Sequence, residues 1–281
     1  MPSFRYRLVN VFADAPLAGN PLCVFEDARG LDDETMQALA LQFNLSETTF
    51  VLPSDNATAR VRIFTPTFEM PFAGHPTLGT AHVVRSVLGG PDAVTLEMRA
   101  GIIPVTANGD TWTLKAQPPQ SRPAAIERER LARTLELTPA DIASDPLWID
   151  TGSEQLIVPL ASVDAVRRTK PDAAMMADWP RNKLGRAMCY VWAYAGPHAV
   201  ESRFFFTKHS SVLEDPGTGS ACANLGGWML ETAQALPVDL TVAQGAAVGR
   251  PCRLRLRVTA GAGILVSGNV IELGTGTIDL P

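Results

Sequence analysis

The second half of this chain echoes the first in order, and no other feature narrows the possible folds as much. ARVRIFT (59–65) runs into a glycine-led helical stretch at Gly74, and ESRFFFT (201–207) runs into another at Gly219. TLEMRAGIIPV (95–105) and DLTVAQGAAVG (239–249) follow, each a strand pattern entering a glycine turn. Arg62 and Arg203, Gly74 and Gly219, and Gly101 and Gly245 stand 141, 145 and 144 residues apart. Three ordered matches at nearly half the chain length point to duplication. A chance likeness between two β-rich halves is the alternative. Duplication predicts two similar domains, each sending a buried helix toward a common cleft, where small-molecule sites tend to form.

The local patterns are mostly β. RLVNVF, LCVFE, TTFVLP, ARVRIFT, AVTLEM, IIPVTA, TWTLKA, LIVPL, YVWAYA, RFFFT, DLTVAQ and CRLRLRV read as short strands. Helical patterns occur at DDETMQALALQF, around 77–88, at AIERERLARTLE and at SACANLGGWMLETAQA. The expected class is therefore α+β with β dominant. The 281 residues suffice for two cores. The expected domains are 1–118 and 119–265, joined near KAQPPQSRPAA (115–125), with 266–281 returning to complete the first sheet.

At 46% hydrophobic and 19% charged residues, the composition is that of a folded protein. A net charge of −5 without a basic tract argues against nucleic acid or an anionic membrane as the main partner. The N-terminus enters a strand pattern without an apolar leader, and AMCYVWAYAGPHAV is too short and interrupted to span a bilayer. Cys23, Cys189, Cys222 and Cys252 show no CxxC or metal-ligand spacing. They read as reduced, mostly buried thiols of a cytoplasmic protein. No metal site is expected, because no paired His/Cys spacing, HExxH or EF-hand loop occurs. Nucleotide fingerprints and a GxSxG elbow are also missing.

Two helix starts could carry chemistry. In FEMPFAGHPTLGTAHVV (68–84), Gly74 permits close approach to the backbone and Pro76 suits a first helical turn. His75 sits at the mouth, where amide hydrogens and the helix dipole attract anions. It is either a hydrogen-bonding or proton-shuttling group or a histidine satisfied by backbone. In LEDPGTGSACANLGGWML (213–230), Gly217 and Gly219 leave amides open around Thr218 and Ser220, as a carboxylate-binding nest requires. Asp215 and Ser220 are either helix caps or ligand-binding groups. Glu47, in NLSETTFV (44–51), is either an edge-strand glutamate in water or a general base whose pKa burial raises. His82 reads as a packed helix residue, and His198 and His209 carry no recognisable pattern.

Taken together, VNVFADAPLAGNPLCVF, NLSETTFV, RIFTPTFEMPFAGHPTLGTAH, EDPGTGSACANLGGW and QGAAVGRPCRL resemble, in that order, the PhzF-like (phenazine biosynthesis) isomerases, relatives of diaminopimelate epimerase. The resemblance spans nearly the whole chain. It implies two similar domains, each a β-barrel-like sheet around a central helix, with the active site between them. It implies Glu47 as the acid/base, and Gly74, His75, Asp215, Gly219 and Ser220 as residues that bind or help protonate substrate. It further implies no cofactor and a homodimer.

Two departures bear on the chemistry. Diaminopimelate epimerases use two cysteines, one before each glycine turn, whereas here Ala73 precedes Gly74 and Pro216 precedes Gly217. Two-thiol racemisation is thus ruled against. Gly217 stands where the PhzF-like element usually has alanine, which loosens the turn without removing an amide donor. The expected activity is a cofactor-independent isomerisation of a small cyclic carboxylate such as dihydro-hydroxyanthranilate. Epimerisation or tautomerisation of another amino-acid derivative, and non-catalytic binding of a small carboxylate, are the alternatives.

Overall fold

The computed structural model describes residues 1–208, 211–261 and 263–280, save the side chains of 176–178. His209 lies outside the described residues. The chain divides into two compact units: Met1–Lys115 with the run from Ser267 onward, and Ala116–Val266.

The first unit is a closed barrel wound around a helix. Its strands are β1 (Ser3–Val11), β2 (Asn20–Phe25), β3 (Thr48–Leu52), β4 (Ala59–Phe64), the short β5 (Glu69–Met70), β6 (Ala93–Met98), β7 (Gly101–Asn108) and β8 (Thr111–Lys115). Antiparallel β1–β2 leads to parallel β2–β3, antiparallel β3–β4, parallel β4–β6 and antiparallel β6–β7–β8. A long last strand (Gly263–Asp279), labelled β17 below, pairs with both β1 and β8 and closes the ring. Closure leaves no barrel edge to be capped.

Helix α1 (Asp33–Phe43) begins at Asp32, whose carboxylate accepts from the Thr35 amide at 2.8 Å. It packs outside the barrel on Phe25, Phe50 and Phe64. Helix α2 (Gly74–Leu88) is the central one, and every residue from Gly74 to Ala81 is buried. This explains the lack of polar/apolar alternation in NPLCVF: Cys23 and Phe25 join the α1 cluster while Leu22 meets α2. A Cβ at Gly79 would lie 2.6 Å from Leu22 Cδ2 and 2.9 Å from Val11 Cγ2, so this close approach of helix to strand requires glycine.

The second unit repeats the plan. Its elements are β9 (Gln120–Pro123), α3 (Arg128–Thr134), β10 (Leu147–Asp150), β11 (Glu154–Pro159), α4 (Val163–Arg168), β12 (Met188–Gly196), β13 (Ala199–Lys208), β14 (Ser211–Asp215), α5 (Gly219–Glu231), β15 (Val238–Gln244) and β16 (Cys252–Thr259), before the start of β17. The ladder runs β9–β10–β11, parallel β11–β12, antiparallel β12–β13, parallel β13–β15 and antiparallel β15–β16. β16 neighbours β17, and the Ala116 amide donates to the Ile264 carbonyl at 2.9 Å. Helix α5 is buried from Ala221 to Met229. Leu131, Leu135, Trp148, Val158 and Val166 form the core beneath α3 and α4. The proline-rich stretch read as a connection contains β9, a strand that pairs with β10.

The repeat holds at the level of single contacts. Phe64 pairs with Thr48 and with Glu69, and Phe205 pairs with Cys189 and with Glu214. Arg62 forks onto Glu69 with two 2.8 Å bonds, and Arg203 forks onto Glu214 at 3.0 and 2.7 Å. Each guanidinium also covers the phenylalanine two residues on, Phe64 at 5.0 Å and Phe205 at 4.7 Å. In this register Gly74 corresponds to Gly219, His75 to Ser220, and Glu47 to Met188.

Candidate active site

In the first unit, the residue just before β3 meets the start of the central helix. β3 is flanked by β2 and β4, so Glu47 does not lie on an edge strand. Its side chain is 15% exposed, and Oε2 lies 3.4 Å from His75 Nε2. The α2 N-cap is Ala73, which supplies no side-chain bond to the first turn. The helix start is therefore not closed by a side-chain cap, and Gly74 and His75 occupy its first positions.

His75 is buried and held from behind. Asn20 Nδ2 lies 3.3 Å from His75 Nδ1, and the Pro21 carbonyl is a second partner of the ring. Burial is the main influence on its basicity and lowers its pKa to about 3, with the Pro21 bond opposing the shift. The imidazole is thus neutral at physiological pH, and its contact with Glu47 is not an ion pair. Nε2 makes no hydrogen bond within the described residues. Behind this mouth, Thr49 and Thr80 hydroxyls meet at 2.8 Å and tie β3 to α2. Thr77 Oγ1 donates to the Ala73 carbonyl at 2.7 Å.

In the second unit, Asp215, Gly219 and Ser220 gather at the start of α5. Its N-cap is Thr218, which likewise makes no side-chain cap bond. Thr218 Oγ1 donates instead to Asp215 Oδ2 at 2.5 Å, fixing that carboxylate beside the helix start. Gln244, at the end of β15, braces the loop: its Oε1 accepts from the Thr218 amide at 3.2 Å, and its Nε2 donates to the Asp215 carbonyl at 2.9 Å. The next residue, Gly245, has φ +82°, and a Cβ there would fall 2.4 Å from the Pro216 carbonyl oxygen. Only glycine lets the β15 turn approach the EDPGTGS loop so closely. Ser220 Oγ accepts from Gln155 Nε2 at 2.8 Å, and Gln155 Oε1 accepts from Asn224 Nδ2 at 2.8 Å.

Asn20, Gln155, Asn224 and Gln244, all buried, were not singled out from the sequence. Each is an amide inside a strand or helix run, NPLCVF, EQLIVP, SACANLGGWML and DLTVAQ, and buried amides need partners. The remaining candidates are placed as follows. His82 is half-buried on α2 and accepts from Trp112 Nε1 at 3.3 Å, and His198 Nδ1 lies 3.3 Å from the Asp239 carbonyl. The four cysteines are free and buried, and burial pushes their thiols well above the usual range. Cys222, on the buried stretch of α5, is thus suppressed as a thiolate, which works against thiol-based proton transfer. Among the described residues no group of three His, Cys, Asp or Glu is placed to hold a metal ion. Among them, too, no helix is long and apolar enough to cross a membrane.

Comparison with known proteins gives a consistent result. A family model described as phenazine biosynthesis-like protein matches residues 9–273. A Pasteurella multocida (strain Pm70) protein named as an uncharacterized isomerase is 37% identical over 281 residues, covering 99% of this chain and 95% of its own. A Pseudomonas aeruginosa protein named trans-2,3-dihydro-3-hydroxyanthranilate isomerase is 36% identical, covering 97% of this chain and 98% of its own. Among solved structures, the Bacillus anthracis phenazine biosynthesis protein of the PhzF family superposes with a TM-score of 0.88 at 26% identity, covering 100% of both chains.

Proposed function

This chain belongs to the phenazine biosynthesis-like (PhzF) family of isomerases, and from that premise we propose that it moves a proton within a small cyclic carboxylate without a cofactor, with Glu47 as general acid/base. The observation that carries this reading is the 3.4 Å approach of Glu47 to a buried, neutral His75 at an uncapped helix start. A carboxylate largely withdrawn from water is a competent base for a carbon-bound proton once substrate lies against it. Removing that proton from carbon beside a conjugated or carboxylate group leaves negative charge on the substrate. Amides at the start of α2 and a neutral imidazole can stabilise that charge without adding a cation of their own. Glu47 then returns the proton to a different carbon, so the product is an isomer and no electrons are exchanged.

The proposed substrate is trans-2,3-dihydro-3-hydroxyanthranilate or a close analogue, after the name carried by the Pseudomonas aeruginosa relative. Gly74, His75, Asp215, Gly219 and Ser220 are the proposed substrate-binding residues. A homodimer in the cytoplasm is the proposed working state, and sedimentation would test the assembly. The deciding experiment follows trans-2,3-dihydro-3-hydroxyanthranilate in D2O by NMR with the protein and its Glu47→Gln variant. Isomerisation with deuterium entering carbon in the wild type and not in the variant supports the reading. Equal rates in the two would overturn the role of Glu47, and binding without reaction in the wild type would overturn the substrate.

A further inference from the structure

The buried chain of side chains behind Ser220 has a fixed direction. The Thr151 backbone N–H can only donate, and it meets Asn224 Oδ1 at 2.9 Å. The Ser153 carbonyl can only accept, and it meets Asn224 Nδ2 at 2.7 Å. These two backbone groups leave the Asn224 amide a single orientation. Asn224 Nδ2 therefore also presents a hydrogen to Gln155, whose Oε1 must face it at 2.8 Å. With its oxygen committed, Gln155 can turn only its Nε2 hydrogens to Ser220, 2.8 Å away. Gln155 is 3% exposed and Asn224 is fully buried, so water does not compete for these bonds.

Ser220 Oγ is the acceptor at the end of this chain, and among the described residues it makes no other hydrogen bond. Its own hydrogen is left to be donated. We propose that Gln155 is a positioning residue which, locked by Asn224, makes Ser220 an obligate donor to the carboxylate of the substrate. The inference rests on the reading of Ser220 as a substrate-binding group and adds the residue that sets its polarity. Without the amide, the hydroxyl is free to turn its hydrogen inward and present a lone pair to an anion.

Gln155→Glu is the informative variant, because it keeps the size and the acceptor facing Asn224 while making the other terminal atom an oxygen. Ionised, that oxygen takes the Ser220 hydrogen and turns the lone pairs outward. Protonated, its O–H donates to Ser220 and restores the wild-type direction. The readout is the Kd of 3-hydroxyanthranilate, an aromatic carboxylate that cannot undergo the proton shift, titrated calorimetrically from pH 5 to 9 and referenced to wild type at each pH. The expected result is binding about tenfold weaker at high pH, the size of one charge-assisted hydrogen bond, recovering as the introduced carboxyl protonates. In a Ser220→Ala background Gln155→Glu is expected to add a clearly smaller loss, that of repulsion between the two carboxylates alone.

Three outcomes separate the claims. If Ser220→Ala alone leaves Kd unchanged, the substrate-binding reading of Ser220 fails and the inference fails with it. If Ser220→Ala weakens binding but Gln155→Glu does not, Ser220 stands and the positioning role is wrong. A loss from Gln155→Glu that is pH-independent, or equally large with alanine at 220, also overturns it. Should Gln155→Glu fail to show a cooperative melt, Gln155→Met carries the same cycle, with a loss of about threefold expected only where Ser220 is present.

Discussion

The two units share one frame and differ at the few positions where that frame could do chemistry. Arg62–Glu69 and Arg203–Glu214 are the same fork on the same strand pairing, and both central helices start without a side-chain cap. Where the first unit has Glu47 and His75, the second has Met188 and Ser220. The first mouth thus carries a carboxylate and a ring that can exchange or share protons, whereas the second carries Asp215, Ser220 and a braced set of amide donors. The repeat keeps what holds each helix in its barrel and varies what stands at its mouth. The physical reason is that fork, barrel closure and close helix packing are demanded by stability, while a group at an uncapped helix start is constrained only by what it binds.

The sharpest way to break this comparison is to treat the equivalent positions alike. Glu47→Gln is expected to lower turnover of the proposed substrate about 10²–10⁴-fold, the range for loss of a general base. Met188→Gln is expected to leave turnover close to wild type in the same assay. Equal losses would mean that the repeat, rather than the carboxylate, determines activity.

The paired glycine turns come next. Gly101 and Gly245 both have positive φ, but a Cβ at Gly101 meets open space while one at Gly245 falls 2.3 Å from the Arg250 carbonyl oxygen. Gly101→Ala is expected to cost about 1 kcal/mol from strained backbone alone. Gly245→Ala adds a clash between backbone atoms and is expected to cost about 3 kcal/mol or more by urea denaturation. It should also weaken binding of 3-hydroxyanthranilate, because the Pro216 loop must move.

The arginine forks are expected to differ less. Arg203 also donates to the Thr169 carbonyl at 2.5 Å and the Arg167 carbonyl at 3.2 Å, whereas Arg62 reaches Asp33, which is 82% exposed. Arg203→Met therefore strands more buried acceptors. It should destabilise by about 2–3 kcal/mol, against about 1–2 kcal/mol for Arg62→Met, both below a fully buried pair because water reaches the site. Equal shifts of the two urea midpoints would mean that the added carbonyl bonds contribute nothing.

A further difference between the units lies in pH dependence. His75 titrates near 3 when folded against about 6.5 in an unfolded chain. Between those values the unfolded state binds the proton first, so stability rises with pH across the window and levels off above it. His82 is shifted in the same direction by burial and adds to the upper part of that limb. His75→Gln is expected to flatten the acid limb of a plot of melting temperature against pH. Ser220→Ala, at the matching place in the second unit, should leave the slope as it is.

Much of the architecture was legible before any coordinates. The short runs from RLVNVF to CRLRLRV are all strands, because fully or half-buried strands impose a pattern that neighbouring residues carry alone. β5, β9 and β10 escaped because two to four residues carry too little periodicity, β14 because SVLED mixes polar and apolar residues without one face, and α4 because it is only six residues long and starts on its Ser162 cap. Gly74 and Gly219 do begin helices, as their motif order requires.

The sequence by itself determined a strand-rich, repeated plan and the residue types at each helix mouth, which follow from local periodicity and motif order, while the barrel around each helix was what the family resemblance implied. Tertiary structure alone decided that Glu47 stands beside His75 and not on a free edge, that burial keeps His75 neutral, and that Gln155 turns a hydrogen toward Ser220. Those facts depend on desolvation and on which polar group, backbone or side chain, lies 2.7–3.4 Å away from a side chain tens of residues distant. Neither quantity is a property of any short stretch of chain.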